Sequence, residues 1–162
     1  MKNNLEFLQN ELIRTSEWLK FAEQKFTLLS LYYALGITYI TQNVKDINKI
    51  FIENNLSKFI IFIVFIITLI LGIYFLFKVI FPNLKNVSTS KSFFFYSHIS
   101  NMKILDYIKE FKDLSNEELE KQILEQIHTN SEITNQKMLN IISSFRFLFI
   151  NLIFLIALIF II

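Results

Sequence analysis

Residues that could perform acid–base or metal chemistry are sparse in this sequence. His98 and His128 lie thirty positions apart, and neither belongs to an HExxH motif or to another metal-ligand spacing. Glu125 and Glu132 fall on the same helical face as His128, three positions before it and four after it. This spacing favours a solvated ion pair over a metal ligand.

The acidic side chains Glu117, Glu118 and Glu120 form a group that paired-carboxylate chemistry could use. Ser115, however, precedes Glu118 by three residues, which is the spacing of a capping box. Acidic residues in a first helical turn also favour the positive end of the helix dipole. We therefore predict that these carboxylates begin a helix and do not perform catalysis.

Cysteine, glycine and charge usage exclude several classes of site. The chain has no cysteine, which excludes disulfides, thiolate metal sites and cysteine nucleophiles. Its two glycines, Gly36 and Gly72, cannot build a glycine-rich phosphate loop or a nucleophile elbow. Acids and bases are interleaved at a net charge of +2, so no basic patch for a nucleic acid polymer is expected. We predict no enzyme, no catalytic residue, no metal and no cofactor.

Four charged residues that flank apolar blocks are the candidates for ligand binding: Glu23, Lys25, Lys137 and Arg146. Lys25 directly precedes one apolar block, and Lys137 stands nine positions before Arg146 at the start of another. We expect Lys25 and Lys137 to meet at one membrane surface, where paired bases suit a small anion. Ordinary basic flanking of membrane spans is the alternative, and composition does not choose between the two.

Three apolar blocks have to position these residues, and they concentrate the 53% hydrophobic content of the chain. Phe59 to Phe77 is nineteen residues without a charge, which as a helix matches a hydrocarbon core of roughly 30 Å. The block at 26–42 is shorter and carries hydroxyls and small residues that suit helix–helix packing. Phe147 to Ile162 is apolar except for Asn151. The predicted fold is an all-α membrane protein with three transmembrane helices, at 26–42, 59–81 and 143–162.

The N-terminal segment is predicted to be helical as well. Residues 1–25 form a cytoplasmic amphipathic helix whose apolar seam serves self-association or docks on another helix of the chain. A helix lying on the membrane surface is the alternative. The seam runs at 3,4 spacing into the first apolar block: Leu5, Leu8, Leu12, Thr15, Leu19, Ala22, Phe26 and Leu29. Residues 43–58 are expected to be a short, Asn-rich external loop.

Residues 82–142 are predicted to form a cytoplasmic helical module. Pro82 ends the second span, and a Ser/Thr-rich loop follows over 83–92. Phe93 to Tyr96 is an aromatic run that is either strand-like or an anchor at the membrane surface.

A short helix is expected over 102–112. Because neither glycine nor proline occurs after Ser115, the last cytoplasmic helix is expected to be continuous with the final span. Asn130 is taken as an exposed position on that helix.

Basic residues set the predicted orientation. Most of them flank the spans on the side of the N-terminus: Arg14, Lys20, Lys25, Lys78, Lys85, Lys91, Lys137 and Arg146. Lys45, Lys49 and Lys58 fall on the other side. The positive-inside rule then predicts a multi-pass membrane protein with its N-terminus in the cytoplasm. Charges spread through the first 25 residues, so no secretory signal peptide is expected.

Several short motifs occur in a definite order along the chain. The first is Ala22-Glu23-Gln24-Lys25 with apolar residues after it. The others follow it in sequence: Pro82, Phe93 to Tyr96, Ile104-Leu105-Asp106-Tyr107, Leu114-Ser115-Asn116-Glu117-Glu118-Leu119, Gln126-Ile127, Ser131-Glu132-Ile133 and Lys137. This order resembles the transmembrane Pycsar effector proteins of bacterial antiphage defence over about Leu12 to Phe160. Glu23 stands where an Asp is expected, and Met138 where an aromatic residue is usual.

The resemblance implies an antiviral defence effector of the bacterial inner membrane. A separate cyclase would make a cyclic pyrimidine mononucleotide, cCMP or cUMP, on infection. The effector would sense it and impair inner-membrane integrity, which gives abortive infection. The implied partners are the lipid bilayer and the cyclic nucleotide, and unused packing surface predicts a homo-oligomer. The alternative is a ligand-independent membrane scaffold or pore-forming toxin assembled through the N-terminal seam.

Overall fold

A computed structural model describes residues 2–53, 55–81, 93–94 and 99–161, and these residues are helical apart from short turns and connections. The all-α prediction is confirmed for these residues, among which no strand occurs. The helices are α1 (Lys2–Gln42), α2 (Val44–Ile52), α3 (Leu56–Ile80), α4 (Ile104–Asp113) and α5 (Asn116–Ile161). Several predicted features lie outside the described residues: Pro82, the loop at 83–92 with Lys85 and Lys91, Phe95, Tyr96 and His98.

The chain divides into two compact units. The first, which we call the polar unit, consists of Met1–Phe21 and Asn83–Asn135. The second, which we call the bundle unit, consists of Ala22–Pro82 and Gln136–Ile162. The long helices α1 and α5 each contribute their first part to the polar unit and their second part to the bundle unit.

The bundle unit packs the second part of α1 against α3 and the second part of α5. Its main apolar cluster takes buried residues from all three helices: Ala22, Leu29, Tyr33, Leu69, Leu76, Val79 and Ile141. Gly36 lets α1 approach α3 closely, because a Cβ there would lie 3.0 Å from Leu69 Cδ1. Small residues of this kind serve helix packing in apolar surroundings.

Two of the described helices, α3 and α5, are long and apolar enough to cross a membrane. The predicted count of three spans is therefore not met. The second part of α1 falls short because hydroxyl and amide side chains interrupt its apolar residues: Thr27, Ser30, Thr38, Thr41 and Gln42. The nineteen apolar residues from Phe59 to Phe77 lie wholly within α3.

The connection between α1 and α3 differs from the predicted loop because it contains α2. Ile47 and Ile50 of α2 are buried and pack in a cluster with Phe62 and Phe65 of α3. The asparagines of the segment differ in position, since Asn43 precedes α2, Asn48 lies within it and Asn55 precedes α3. Asn55 Oδ1 accepts the backbone N–H of Ser57 at 3.2 Å, which caps the start of α3.

In the polar unit, α5 begins at the predicted capping box. The Ser115 backbone N–H and hydroxyl both donate to Glu118 Oε2, at 3.0 and 2.8 Å, and the Glu118 N–H donates back to Ser115 Oγ at 3.3 Å. From there α5 continues for 46 residues. The prediction of one helix running from the hydrophilic module into the final apolar block is confirmed.

Candidate functional site

A buried amide joins α1, α3 and α5 in the bundle unit. Asn151 is fully buried, and its Nδ2 donates to the Phe65 carbonyl at 2.8 Å and to Thr68 Oγ1 at 2.9 Å. Its Oδ1 accepts the Tyr32 hydroxyl at 3.0 Å. Thr68 also donates to the Val64 carbonyl of its own helix, so the polar atoms of this group satisfy one another. The sequence singles out Asn151 as the one polar residue of its block, and the structure gives it partners on α1 and α3.

A second polar contact lies on the same face of α5, seven residues earlier. Ser144 is fully buried, and its Oγ donates to the Gly72 carbonyl at 2.9 Å. The Tyr33 hydroxyl donates to the Ser144 carbonyl at 2.7 Å. Gly72 is required here because a Cβ would lie 2.5 Å from Tyr33 Cζ. Sequence reasoning missed this contact, and its one signal was a glycine inside the longest apolar block.

Two of the four predicted ligand-binding residues form an ion pair. Lys137 Nζ lies 3.0 Å from Glu23 Oε1, and the lysine side chain is 12% exposed against 56% for the glutamate. Lys137 thus pairs with an acidic residue, and the expected meeting of Lys25 with Lys137 stays a prediction. The carboxylate of the pair therefore faces solvent more than the lysine does.

The other two predicted residues line an apolar groove between α1 and α5. Lys25 and Arg146 border a cavity of about 420 Å³ whose remaining lining is apolar: Leu28, Leu29, Met138, Ile141, Ile142, Phe145, Leu148 and Phe149. Its lining holds no acidic, hydroxyl or amide side chain. The four candidates therefore divide into an ion pair and a basic border of a groove.

In the polar unit, Asn130 is buried, and its predicted exposure is wrong. Its Oδ1 accepts from Gln126 Nε2 at 3.0 Å, and its Nδ2 lies 3.5 Å from Ser16 Oγ of α1. The first five seam positions of α1, from Leu5 to Leu19, are all buried or half-buried. The seam is therefore occupied within this chain.

The aromatic run contributes Phe93 to a small cluster. Phe93 lies in a turn and is buried, with its ring centroid 5.7 Å from Tyr107 and 5.9 Å from Phe111 of α4. Its backbone N–H donates to Gln122 Oε1 of α5 at 2.9 Å. Phe93 is therefore neither part of a strand nor a membrane anchor. It contacts both α4 and α5.

The remaining titratable groups have local roles. His128 Nδ1 lies 4.0 Å from Glu132 Oε2 on the exposed face of α5, which agrees with the predicted ion-pair spacing. The hydrogen bonds from Ser115 lower the pKa of the Glu118 carboxyl below its ordinary value. Within the described part of the chain, no group of three or more His, Cys, Asp or Glu residues could hold a metal ion.

Comparison with known proteins identifies one family. The family model PycTM, described as the Pycsar effector protein domain, matches residues 7–162. Searches among curated proteins and among solved structures found no match. The matched range includes α3, the whole of α5 and nearly all of α1, so it covers the ion pair, the groove and both buried polar contacts. The chain belongs to the Pycsar effector protein family.

Proposed function

We propose that this protein is an antiphage effector that senses cCMP or cUMP made by a separate cyclase and then impairs the integrity of the bacterial inner membrane. The family match over residues 7–162 is the observation that carries the proposal. The protein acts by changing conformation in the membrane and not as an enzyme.

The outward faces of α3 and α5 support a membrane location. Large apolar side chains remain exposed there, such as Ile70 at 59%, Ile153 at 66% and Phe160 at 86%. The chain itself buries 17% of the most apolar stretch of α5. Soluble monomers rarely expose continuous apolar surface on this scale, whereas acyl chains would cover it. Residues 26–42, which are less apolar, enter the bilayer as the packing partner of these two helices.

Basic residues flank the apolar blocks on the side of the N-terminus, among them Lys25, Lys137 and Arg146. By the positive-inside rule they support an inner-membrane protein with a cytoplasmic N-terminus. Cytoplasmic placement puts Glu23 and Lys137 on the side where a cyclase product accumulates. We propose that the nucleotide phosphate competes with Glu23 for Lys137. A ligand that binds the separated pair better than the closed pair shifts the protein toward the active state.

Titration of cCMP and cUMP into detergent-solubilised full-length protein tests this site. Lys137→Gln is expected to weaken binding about ten-fold or more, since a charge-assisted phosphate contact is lost. Glu23→Gln is expected to strengthen binding because the competing carboxylate is gone. Lys49→Gln, which opens the exposed Lys49–Asp46 pair, is the matched control and leaves affinity unchanged. Weaker binding by Glu23→Gln, or no binding of either nucleotide by the wild type, would overturn the assignment.

The occupied seam argues against the alternative of a ligand-independent scaffold or toxin. Such a protein would need the Leu5–Leu29 seam on its surface, and those positions are buried or half-buried within the chain. We propose that homo-oligomers form instead through the exposed apolar faces of the bundle unit. Mass photometry of nanodisc-embedded protein, with and without nucleotide, measures the assembly state.

A further inference from the structure

We propose that the groove lined by Lys25 and Arg146 binds one acyl chain of an anionic phospholipid, with the lipid phosphate held by these two bases. The inference rests on the proposed membrane location and does not depend on nucleotide sensing. It assigns a lipid site within the bundle unit.

The lining of the groove favours an amphiphile over a polar ligand. Its buried apolar surface includes Leu29 and Ile141, each 4% exposed, and Phe149, which is 56% exposed, lines it as well. A nucleotide would leave its base and ribose without hydrogen-bond partners among these side chains. A methylene chain has no such requirement and buries its surface against them.

The two bases supply the complementary charge. Lys25 and Leu29 are four residues apart on α1 and therefore share the face that borders the groove. Arg146 lies eight residues beyond Met138, the first groove residue of α5. In an α-helix the Cα–Cβ bond tilts toward the N-terminus, so we infer that Arg146 extends its guanidinium along the groove toward the level of Met138. Arginine suits phosphate because its planar fork donates two parallel hydrogen bonds.

The volume of the groove suits one acyl chain. About 420 Å³ falls in the range of roughly 300–1,000 Å³ that is usual for small-molecule sites. The groove opens on its exposed border at Leu28 and Phe145, which are 70% and 46% exposed. A lipid can therefore enter sideways from the bilayer.

Native mass spectrometry of the full-length protein, titrated with phosphatidylglycerol or phosphatidylcholine, tests the site. One phosphatidylglycerol is expected to remain bound per chain, in preference to phosphatidylcholine. Lys25→Gln and Arg146→Gln should each reduce that preference by roughly five-fold, as expected for one base beside an anionic headgroup. Lys78→Gln is the matched control, since Lys78 lies over the rings of Tyr74 and Phe75 and away from the groove lining.

A steric variant separates chain binding from simple charge attraction. Ile142→Trp fills the groove from an exposed position and keeps both bases, so it should abolish retention of the lipid. Equal binding of the two lipids, an unchanged preference in both Lys25→Gln and Arg146→Gln, or retention by Ile142→Trp would each overturn the proposal. The same shift with inorganic phosphate alone would also overturn it. Flotation with phosphatidylcholine vesicles reports the membrane location separately.

Discussion

Replacing Asn151 by leucine tests whether the buried amide holds the three helices together. The substitution removes the three interhelical hydrogen bonds that Asn151 makes with Tyr32, Phe65 and Thr68. Hydrogen bonds between helices in membranes contribute about 0.6 kcal/mol each on average. Their sum is about 2 kcal/mol, and the better helix propensity of leucine offsets about half a kcal/mol of it.

We therefore expect Asn151→Leu to lower the free energy of unfolding by about 1.5 kcal/mol, roughly ten-fold in the equilibrium constant. Denaturant unfolding of the full-length protein in mild detergent, followed by circular dichroism, measures it. Asn140→Leu is the matched control, because among the described residues Asn140 Nδ2 donates to the Gln136 carbonyl of its own helix. That variant should change stability by less than about 0.5 kcal/mol.

A double-mutant cycle with Tyr32→Phe isolates one bond of the three. Because Tyr32 and Asn151 share a single hydrogen bond, the coupling energy should lie near 0.6 kcal/mol and below about 1.7 kcal/mol. An Asn151→Leu protein as stable as the wild type, with zero coupling to Tyr32, would refute the role given to the amide.

Three further predictions follow from particular contacts. Gly72→Ala should destabilise the bundle by about 1–3 kcal/mol in the same unfolding assay, because the new methyl overlaps the Tyr33 ring. Gly36→Ala should destabilise it less, because the methyl there meets the flexible end of Leu69. Equal effects of the two substitutions would contradict the packing. At pH values above the ordinary carboxyl pKa, the Glu118 cap should stabilise α5, and this contribution should be lost as pH falls through the lowered pKa of Glu118. The difference in melting temperature between wild type and Glu118→Gln should therefore shrink in acid. A difference that grows would contradict the cap. Ile142→Pro, at an exposed position of α5 between Lys137 and the final apolar block, should leave nucleotide binding intact but stop nucleotide-dependent membrane leakage, because proline interrupts the helix. Leakage equal to that of Ile142→Ala would contradict coupling along α5.

Features that depend on neighbouring residues were predictable from the sequence. The Ser115–Glu118 capping box and the unbroken course of α5 follow from spacing within a few residues and from missing helix breakers. The apolar block that became α3 follows from composition alone. The nine-residue α2 was missed because a short amphipathic helix in an Asn-rich segment has the composition of a loop.

Features that depend on distant partners were not predictable. Asn130 looks exposed on its own helix, but Ser16 stands 114 positions away and lies next to it. Glu23 looked like part of a signature beside Lys25, whereas its partner is Lys137, again 114 positions away. The first apolar block of the prediction, at 26–42, was overrated as an independent span. The hydroxyls of Tyr32 and Tyr33 in this block donate to α5, and a single sequence does not reveal these contacts.

We propose that a cyclic pyrimidine nucleotide converts this helical bundle into a membrane-damaging state. Dye release from phosphatidylglycerol-containing vesicles that carry the purified full-length protein tests it directly. Addition of cCMP or cUMP is expected to trigger release, with little leakage before addition and little with Lys137→Gln. Equal leakage with and without nucleotide, or no leakage with either nucleotide, would contradict the account.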